Sequence, residues 1–338
     1  MSFLDQANPA IGLDVGTSRI VVARKAGQEY EYESHLNSFV AIPYSKMTES
    51  TLVREKILHT VQKNEIVVHG NDCERFADVL NTETRRTMTH GVVDPKEPDS
   101  VAIIRHMLDS LLSHPENANE KSRSKIVFTV PAAPLGAGEC LTYHEATLKQ
   151  ILDDKGYEAK SINEGLAVVY GELESTNYTG IGISCGGGLC NVCLAYLSMP
   201  VVSFSIPKAG DYIDSSSATV LGERATRMRL TKEDSFHLNG FFADKLHQVI
   251  SVYYDDVISS LVTALKDAFV RSSNMPKFNK PIPIVLAGGT ALPKGFRDRF
   301  EKFLWEQDFP ISISEIRLAQ SPLHSTAKGA LVCALTEN

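Results

Sequence analysis

Positive charge is in short supply in this sequence: 34 Lys and Arg face 41 Asp and Glu, for a formal net charge of -7. Nucleic-acid backbones are gripped by basic surfaces, so this balance argues against a nucleic-acid partner, and no basic stripe interrupts the acidity. Cysteine is sparse too, six in 338 residues, too few and too scattered for a disulfide scaffold. Long apolar runs are missing, because Gly, Pro or charge breaks each one before it could span a bilayer. The opening stretch MSFLDQANPA has neither the basic region nor the apolar core of a secretory signal, and Phe3 and Leu4 make at most a weak membrane anchor. The expectation is a cytoplasmic protein. Low-complexity tracts and long linkers are lacking as well, so the parts of the chain should be compact and tightly joined.

What is present is an ordinary globular composition, 43% hydrophobic over 338 residues, enough for two domains with sizeable cores. The chain is organised around Ala10 to Ala23, AIGLDVGTSRIVVA. An apolar strand from Ile11 to Leu13 ends in Asp14, turns through Gly16, Thr17 and Ser18, and returns from Ile20 to Ala23. Gly16 allows close backbone approach, the hydroxyls and amides of Thr17 and Ser18 are donors, and Asp14 suits a hydrated divalent cation. A polyanion such as a nucleotide's phosphates needs all three. The plan repeats at GIGISCGGGLCNVCLAYL, residues 180–197, where Gly186, Gly187 and Gly188 form the turn between two apolar strands. Successive bare amides at such a turn suit an anion. Two similar hairpins suggest two similar domains facing one ligand.

Elsewhere strands and helices alternate, which points to an α/β layer architecture. Tyr30 to Ile42 reads as strand, residues 44–65 as polar and irregular, and Glu65 to His69 as strand, together forming a small subdomain. Helices are expected from Asp99 or Ser100, from a capping box at Thr142-Tyr-His-Glu145, from near Glu164, over Ser215–Leu221 and Glu223–Lys232, along Phe241–Val270, over Phe296–Trp305 and within Ser321–Leu335. Small residues in Ser161–Gly171, and Ala327, Gly329 and Ala330 near the end, suggest closely crossing backbones. Cys185, Cys190 and Cys193 have the C-x4-C-x2-C spacing of a plant-type iron–sulfur site. A cluster needs a fourth thiolate, and the next downstream is Cys333; small residues alternating along a buried hairpin account for the same spacing.

Taken in order, these segments resemble the actin-like ATPase superfamily. Ile11 to Ala23 resembles its first phosphate motif and Gly180 to Leu194 its second. Ile162 to Gly171 is similar to the first connecting helix, as in DnaK-type chaperones, Pro283 to Thr290 to the adenosine motif, and Ser321 to Leu335 to the second connecting helix. Asn37–Ile42, Thr89–Asp94, Thr129–Pro131 and Lys208–Asp211 resemble segments of bacterial actins of the MreB and MamK kind. The resemblance covers nearly the whole chain. It implies two ribonuclease-H-like domains, residues 1–160 (with a small subdomain at about 43–90) and 161–320, around a nucleotide cleft, with residues 321–338 packing back on the first domain.

The resemblance also implies ATP and Mg²⁺ in the cleft. Asp14 would hold the metal through water, with Gly16, Thr17 and Ser18 on the β- and γ-phosphates and Gly186, Gly187 and Gly188 closing over them. Glu164 would position the attacking water, although an acid at a helix N-terminus is also favoured by the helix dipole alone. Gly288, Gly289 and Thr290 would lie against the adenosine, and Glu223, Arg227, Lys232 and Glu233 are candidates for ribose and adenine, with two alignments of that helix open.

Two departures stand out. Ser184 replaces the aspartate that usually begins the second phosphate motif, and Leu189 replaces the hydroxyl residue after its glycines, which implies slow or absent hydrolysis. Residues 230–242 leave little room for the subdomain that MreB-like proteins insert there. The leading expectation is self-association into filaments. The alternative is a monomeric nucleotide-binding adaptor that recruits a protein partner, which Ser184 and the short insertion favour; a small-molecule kinase lacks a substrate-binding insertion.

Overall fold

The computed structural model describes residues 10–112, 124–135, 141–240, 242, 244–273 and 275–336. The chain opens with β1 (Ile11–Val15), β2 (Arg19–Ala26) and β3 (Glu29–Leu36), then β4 (Ser38–Pro43), α1 (Lys46–Arg54), β5 (His59–Gln62), β6 (Glu65–His69) and α2 (Cys73–Leu80). Short strands β7 (Arg85–Arg86), β8 (Met88–Thr89) and β9 (Val92–Val93) lead to α3 (Ser100–Leu112), β10 (Lys125–Val130), α4 (Leu141–Asp154), β11 (Glu158–Asn163) and α5 (Glu164–Glu172). The second half runs β12 (Gly180–Cys185), β13 (Cys190–Tyr196), β14 (Met199–Ile206), α6 (Gly210–Leu221), α7 (Ala225–Asp234) and α8 (Lys245–Arg271). It closes with β15 (Ile282–Ala287), α9 (Phe296–Trp305), β16 (Ile313–Leu318) and α10 (Ser325–Thr336).

Two five-stranded sheets share one plan. The first is ordered β3-β2-β1-β10-β11 and the second β14-β13-β12-β15-β16. In each, the first three strands form an antiparallel meander and the last two join in parallel, as in β1 with β10 and β12 with β15. All six residues of β12 and of β15 are buried, as expected for central strands covered on both faces, whose side chains read as continuous apolar or small runs. The first sheet packs on α3 and α4 around Leu13, Ile104, Phe128 and Leu148. The second packs on α8 and α9, where Ile250, Tyr254, Val257, Leu261 and Leu265 recur at helical spacing.

The opposite faces meet in the middle. There α5 lies on β12 and β13, α10 lies on β1 and β10, and the two helices cross around Ala167, Val168, Ala330 and Ala334. The crossing is close because of glycine: a Cβ on Gly329 would overlap the Ala167 carbonyl, and one on Gly171 would sit 2.8 Å from Ser325 O. Glu172, at the end of α5, fixes the far side by accepting from Arg317 at 2.9 Å and from Gln320 N at 3.1 Å.

Several expectations need correction. Residues 44–65 are ordered: Ser45 caps α1 by accepting from Thr48 N–H at 3.0 Å, and β5 pairs with β6. Tyr30–Ile42 is two strands in different sheets, because β4 leaves the first sheet to join a four-stranded one, β5-β6-β4-β7, that has its own core of Leu52, Ile66 and Ala77. The capping box does not form; Thr142 is inside α4, and Glu145 accepts from Ser161 instead of turning back on its helix. α6 begins at Gly210, one turn before Ser215, and β16 went unread. Residues 113–123 lie outside the described residues, as do Phe3, Leu4 and Cys140.

Candidate functional site

The β1–β2 turn and the β12–β13 turn both line one cavity of about 630 Å³. Each is closed by its own backbone: Gly16 N–H donates to Arg19 O at 2.9 Å and Gly186 N–H to Leu189 O at 3.0 Å. The turns nearly touch. A Cβ on Gly187 would overlap Ser18 Oγ, and one on Gly188 would press on Thr17 Oγ1 and lie 2.6 Å from Gly91 N. Only glycine allows this approach.

Asp14 and Glu164 face the same cavity from opposite halves. Asp14 accepts from Thr129 Oγ1 and from Thr326 Oγ1, each at 2.5 Å. Glu164 opens α5 behind the N-cap Asn163 and accepts from Ser184 Oγ at 3.0 Å and Asn191 Nδ2 at 2.9 Å. Burial raises the Asp14 carboxyl above its ordinary range against the pull of the two threonines. Burial and then the Asp14 charge push Glu164 up to about 8. Two half-buried acids that face one cavity and interact electrostatically are neutralised by a cation or share a proton.

The turns are braced from behind. Asn37, fully buried, donates from Nδ2 to Gly16 O at 2.9 Å and from its backbone N–H to Ser18 O at 2.9 Å, and it accepts from Thr87 Oγ1. On the other side, the start of α6 takes the carbonyls of the glycine turn: Gly210 N–H donates to Gly186 O at 3.1 Å and Asp211 N–H to Gly187 O at 2.8 Å. Thr290 Oγ1 also donates to Gly186 O, at 2.7 Å. With these carbonyls engaged, an anion at the turn meets fewer lone pairs. Lys232 is paired with buried Asp214 at 2.7 Å and donates to Gly210 O at 3.2 Å, which fastens α7 to the start of α6. Burial raises the Asp214 carboxyl, with Lys232 opposing.

Of the residues singled out from sequence, Asp14, Gly16, Thr17, Ser18 and Glu164 line the cavity. So do Gly186, Gly187, Gly188, Lys232, Glu233, Gly288, Gly289 and Thr290. Glu223 and Arg227 do not; they form an i,i+4 ion pair at the exposed start of α7. The buried face of that helix carries Met228, Arg229 and Lys232. Phe236, His237, Leu292 and Lys294 line the far end and were missed, since they sit in turns without a motif spacing. Thr129, Thr326 and Asn37 were missed as partners because single polar residues at element ends carry no pattern.

The described cysteines do not gather at one point. Cys185 and Cys190 sit opposite each other in the core of the second sheet, while Cys193 projects from the other face of β13 toward α5. Among the described residues, no three His, Cys, Asp or Glu side chains are grouped to hold a metal directly. A hydrated ion held through water by Asp14 does not require such a group.

Two repeats of one sheet plan, two crossing helices between them and two glycine turns on a shared cavity define a two-domain actin-like protein. The chain belongs to the Volactin family, whose sequence model matches residues 10–334. Its fold is similar to that of MamK in a double helical filament, with a TM-score of 0.72 at 17% identity over 98% of this chain and 100% of that one. It is also similar to MreB5 of Spiroplasma citri bound to AMPPNP, with a TM-score of 0.67 at 15% identity over 96% and 95% of the two chains. A third similar structure is the ethanolamine utilization protein EutJ from Carboxydothermus hydrogenoformans, with a TM-score of 0.55 at 16% identity over 98% and 91%. No curated protein sequence matches the chain.

Proposed function

We propose that this protein binds ATP with Mg²⁺ between its two turns, hydrolyses it slowly, and polymerises into filaments. The observation that carries this reading is the pair of glycine turns, one from each sheet, lining a single cavity together with two half-buried carboxylates, Asp14 and Glu164. The residues present suit the group: the turns leave no room for a Cβ at Gly187 or Gly188, and Thr17 and Ser18 supply hydroxyl donors. In this reading Asp14 holds the hydrated metal, and Gly16–Ser18 and Gly186–Gly188 hold phosphates. Glu164 orients a water, Gly288, Gly289 and Thr290 carry the adenosine, and Lys232 orders the start of α6 beneath it. Bound Mg²⁺ would neutralise charge on the phosphates. The domain limits at 160 and 320 and a cytoplasmic location are part of the same proposal; among the described residues no helix is long and apolar enough to cross a membrane.

Polymerisation is supported by the similarity to MamK in its filament. Head-to-tail contacts that do not close a ring give open polymers. The test is separate measurement of affinity and turnover in Asp14→Ala and Glu164→Ala. Asp14→Ala is expected to weaken Mg-ATP binding, and Glu164→Ala to keep binding and lose hydrolysis; variants indistinguishable from the parent would refute the site.

A second reading, a monomeric nucleotide-binding adaptor that recruits a protein partner, is favoured by Ser184. Its hydroxyl donates to Glu164 at 3.0 Å where an aspartate would add charge for the metal. Ordered filaments by electron microscopy with Mg-ATP would exclude that reading, and a chain that stays monomeric at high concentration would exclude the first.

A further inference from the structure

We propose that Arg86 is a positioning residue that sets the spacing between the two turns, working as a strap across the cleft with Asp211. Arg86 belongs to β7, the strand that closes the small sheet against β4, and so arises outside both hairpins. Its Nη1 donates to Ser18 Oγ at 2.8 Å and to Thr17 O at 3.2 Å on the first turn, and lies 3.3 Å from Asp211 Oδ1 on the second half. Asp211 in turn donates its backbone N–H to Gly187 O at 2.8 Å. One nitrogen thus links Ser18, through a single aspartate, to the glycine turn opposite. The backbone at Gly210 and Asp211 holds the glycine turn, and this connection gives a task to the Asp211 side chain as well.

The physical consequence follows from the geometry. Ser18 and Asp211 both line the cavity, whereas Arg86 does not, so the guanidinium acts through them and not on a ligand directly. A cation shared between a hydroxyl, a carbonyl and a carboxylate makes charge-assisted hydrogen bonds that are shorter and stronger than neutral ones. The Arg86 and Asp211 side chains are 23% and 38% exposed, so their attraction is partly screened and contributes little to stability. Its effect is on geometry: without the strap the turns separate by their own thermal motion, and a ligand that must reach both pays for bringing them back.

This inference rests on the nucleotide reading and deepens it, because it predicts which ligands respond. A triphosphate, long enough to engage both turns, should lose more affinity than a diphosphate when the strap is cut. The experiment is titration calorimetry of Mg-ATP and Mg-ADP with the parent, Arg86→Met, Asp211→Asn and the double variant, each checked for its melting temperature. Asp211→Asn keeps the backbone N–H that holds Gly187, so it tests the side chain in a chain that folds even if Arg86→Met does not. The expected result is about a tenfold loss of ATP affinity in each single variant, a smaller loss for ADP, and little further loss in the double variant. Hydrogen exchange without nucleotide should show both turns exchanging faster in either variant, a readout independent of the ligand. Equal losses for both nucleotides, additive losses, or parental affinities in a parent that binds ATP would overturn the strap and leave the nucleotide reading standing. A parent that takes up no nucleotide would overturn the nucleotide reading, and the strap's role in ligand binding with it.

Discussion

Ser184 donates to Glu164 at 3.0 Å, and that one hydrogen bond changes how its substitution for an acid should be understood. Desolvation already raises the proton affinity of both Asp14 and Glu164, and the Asp14 charge raises that of Glu164 further. An aspartate at 184 would put a third carboxylate against them and remove a donor. Ser184→Asp is therefore expected to lower the stability of the ligand-free protein at neutral pH by on the order of 3 kcal/mol, with Mg²⁺ restoring part of it; a melting temperature that is unchanged without Mg²⁺ would contradict this. Glu164 itself gives a pH test. Its pKa rises on folding from 4.5 to about 8, so the folded state holds a proton that the unfolded state has released between those values, and stability falls as pH rises through that window. Glu164→Gln should thus be no more stable than the parent at pH 4 and more stable at pH 8.5, as read from urea midpoints. Glycine spacing and an acid beside it made Asp14 and the two turns legible in the sequence. Partners such as Thr129, Asn37 and Arg86 were not, because each is brought to the turns by a separate strand.

At the level of elements, the central crossing of α5 and α10 was foreshadowed by small residues, and the structure gives the reason: the helices approach until a Cβ on Gly329 would overlap the Ala167 carbonyl. Gly329→Ala is expected to force the helices apart and destabilise the protein by about 2 kcal/mol. Equal urea midpoints for Gly329→Ala and the parent would contradict the close crossing. Central strands β12 and β15 were legible because continuous burial requires apolar or small runs. Less legible were β5 of the small sheet and β16 of the second sheet, both polar edge strands, and α1, a short helix whose single fully buried residue, Leu52, gives little periodicity. α6 starts at Gly210 and not at Ser215, and the N–H groups of Gly210 and Asp211 hold the glycine turn.

Across the whole molecule, the small sheet does more than cap the first half. Glu74 on α2 pairs with Arg229 on α7, and Thr226 on α7 donates to Glu83, so two contacts bridge the halves beside the cavity that Arg229 lines. If nucleotide leaves by this side, Glu74→Gln should release a fluorescent ATP analogue severalfold faster than the parent in stopped flow, with its equilibrium affinity reduced to match; an unchanged release rate would place the exit elsewhere. Between α7 and α8, Phe236 stacks on Phe242 and Tyr254 and joins the core of the second half.

The central claim is that turns from two repeats of one fold hold a single triphosphate, and calorimetric titration of the full chain with Mg-ATP, beside Gly187→Ala, tests it most directly. The account predicts saturable uptake of one nucleotide per chain by the parent and a marked loss in Gly187→Ala, whose added methyl would press on Ser18. No uptake by the parent, or equal uptake by both proteins, would contradict it.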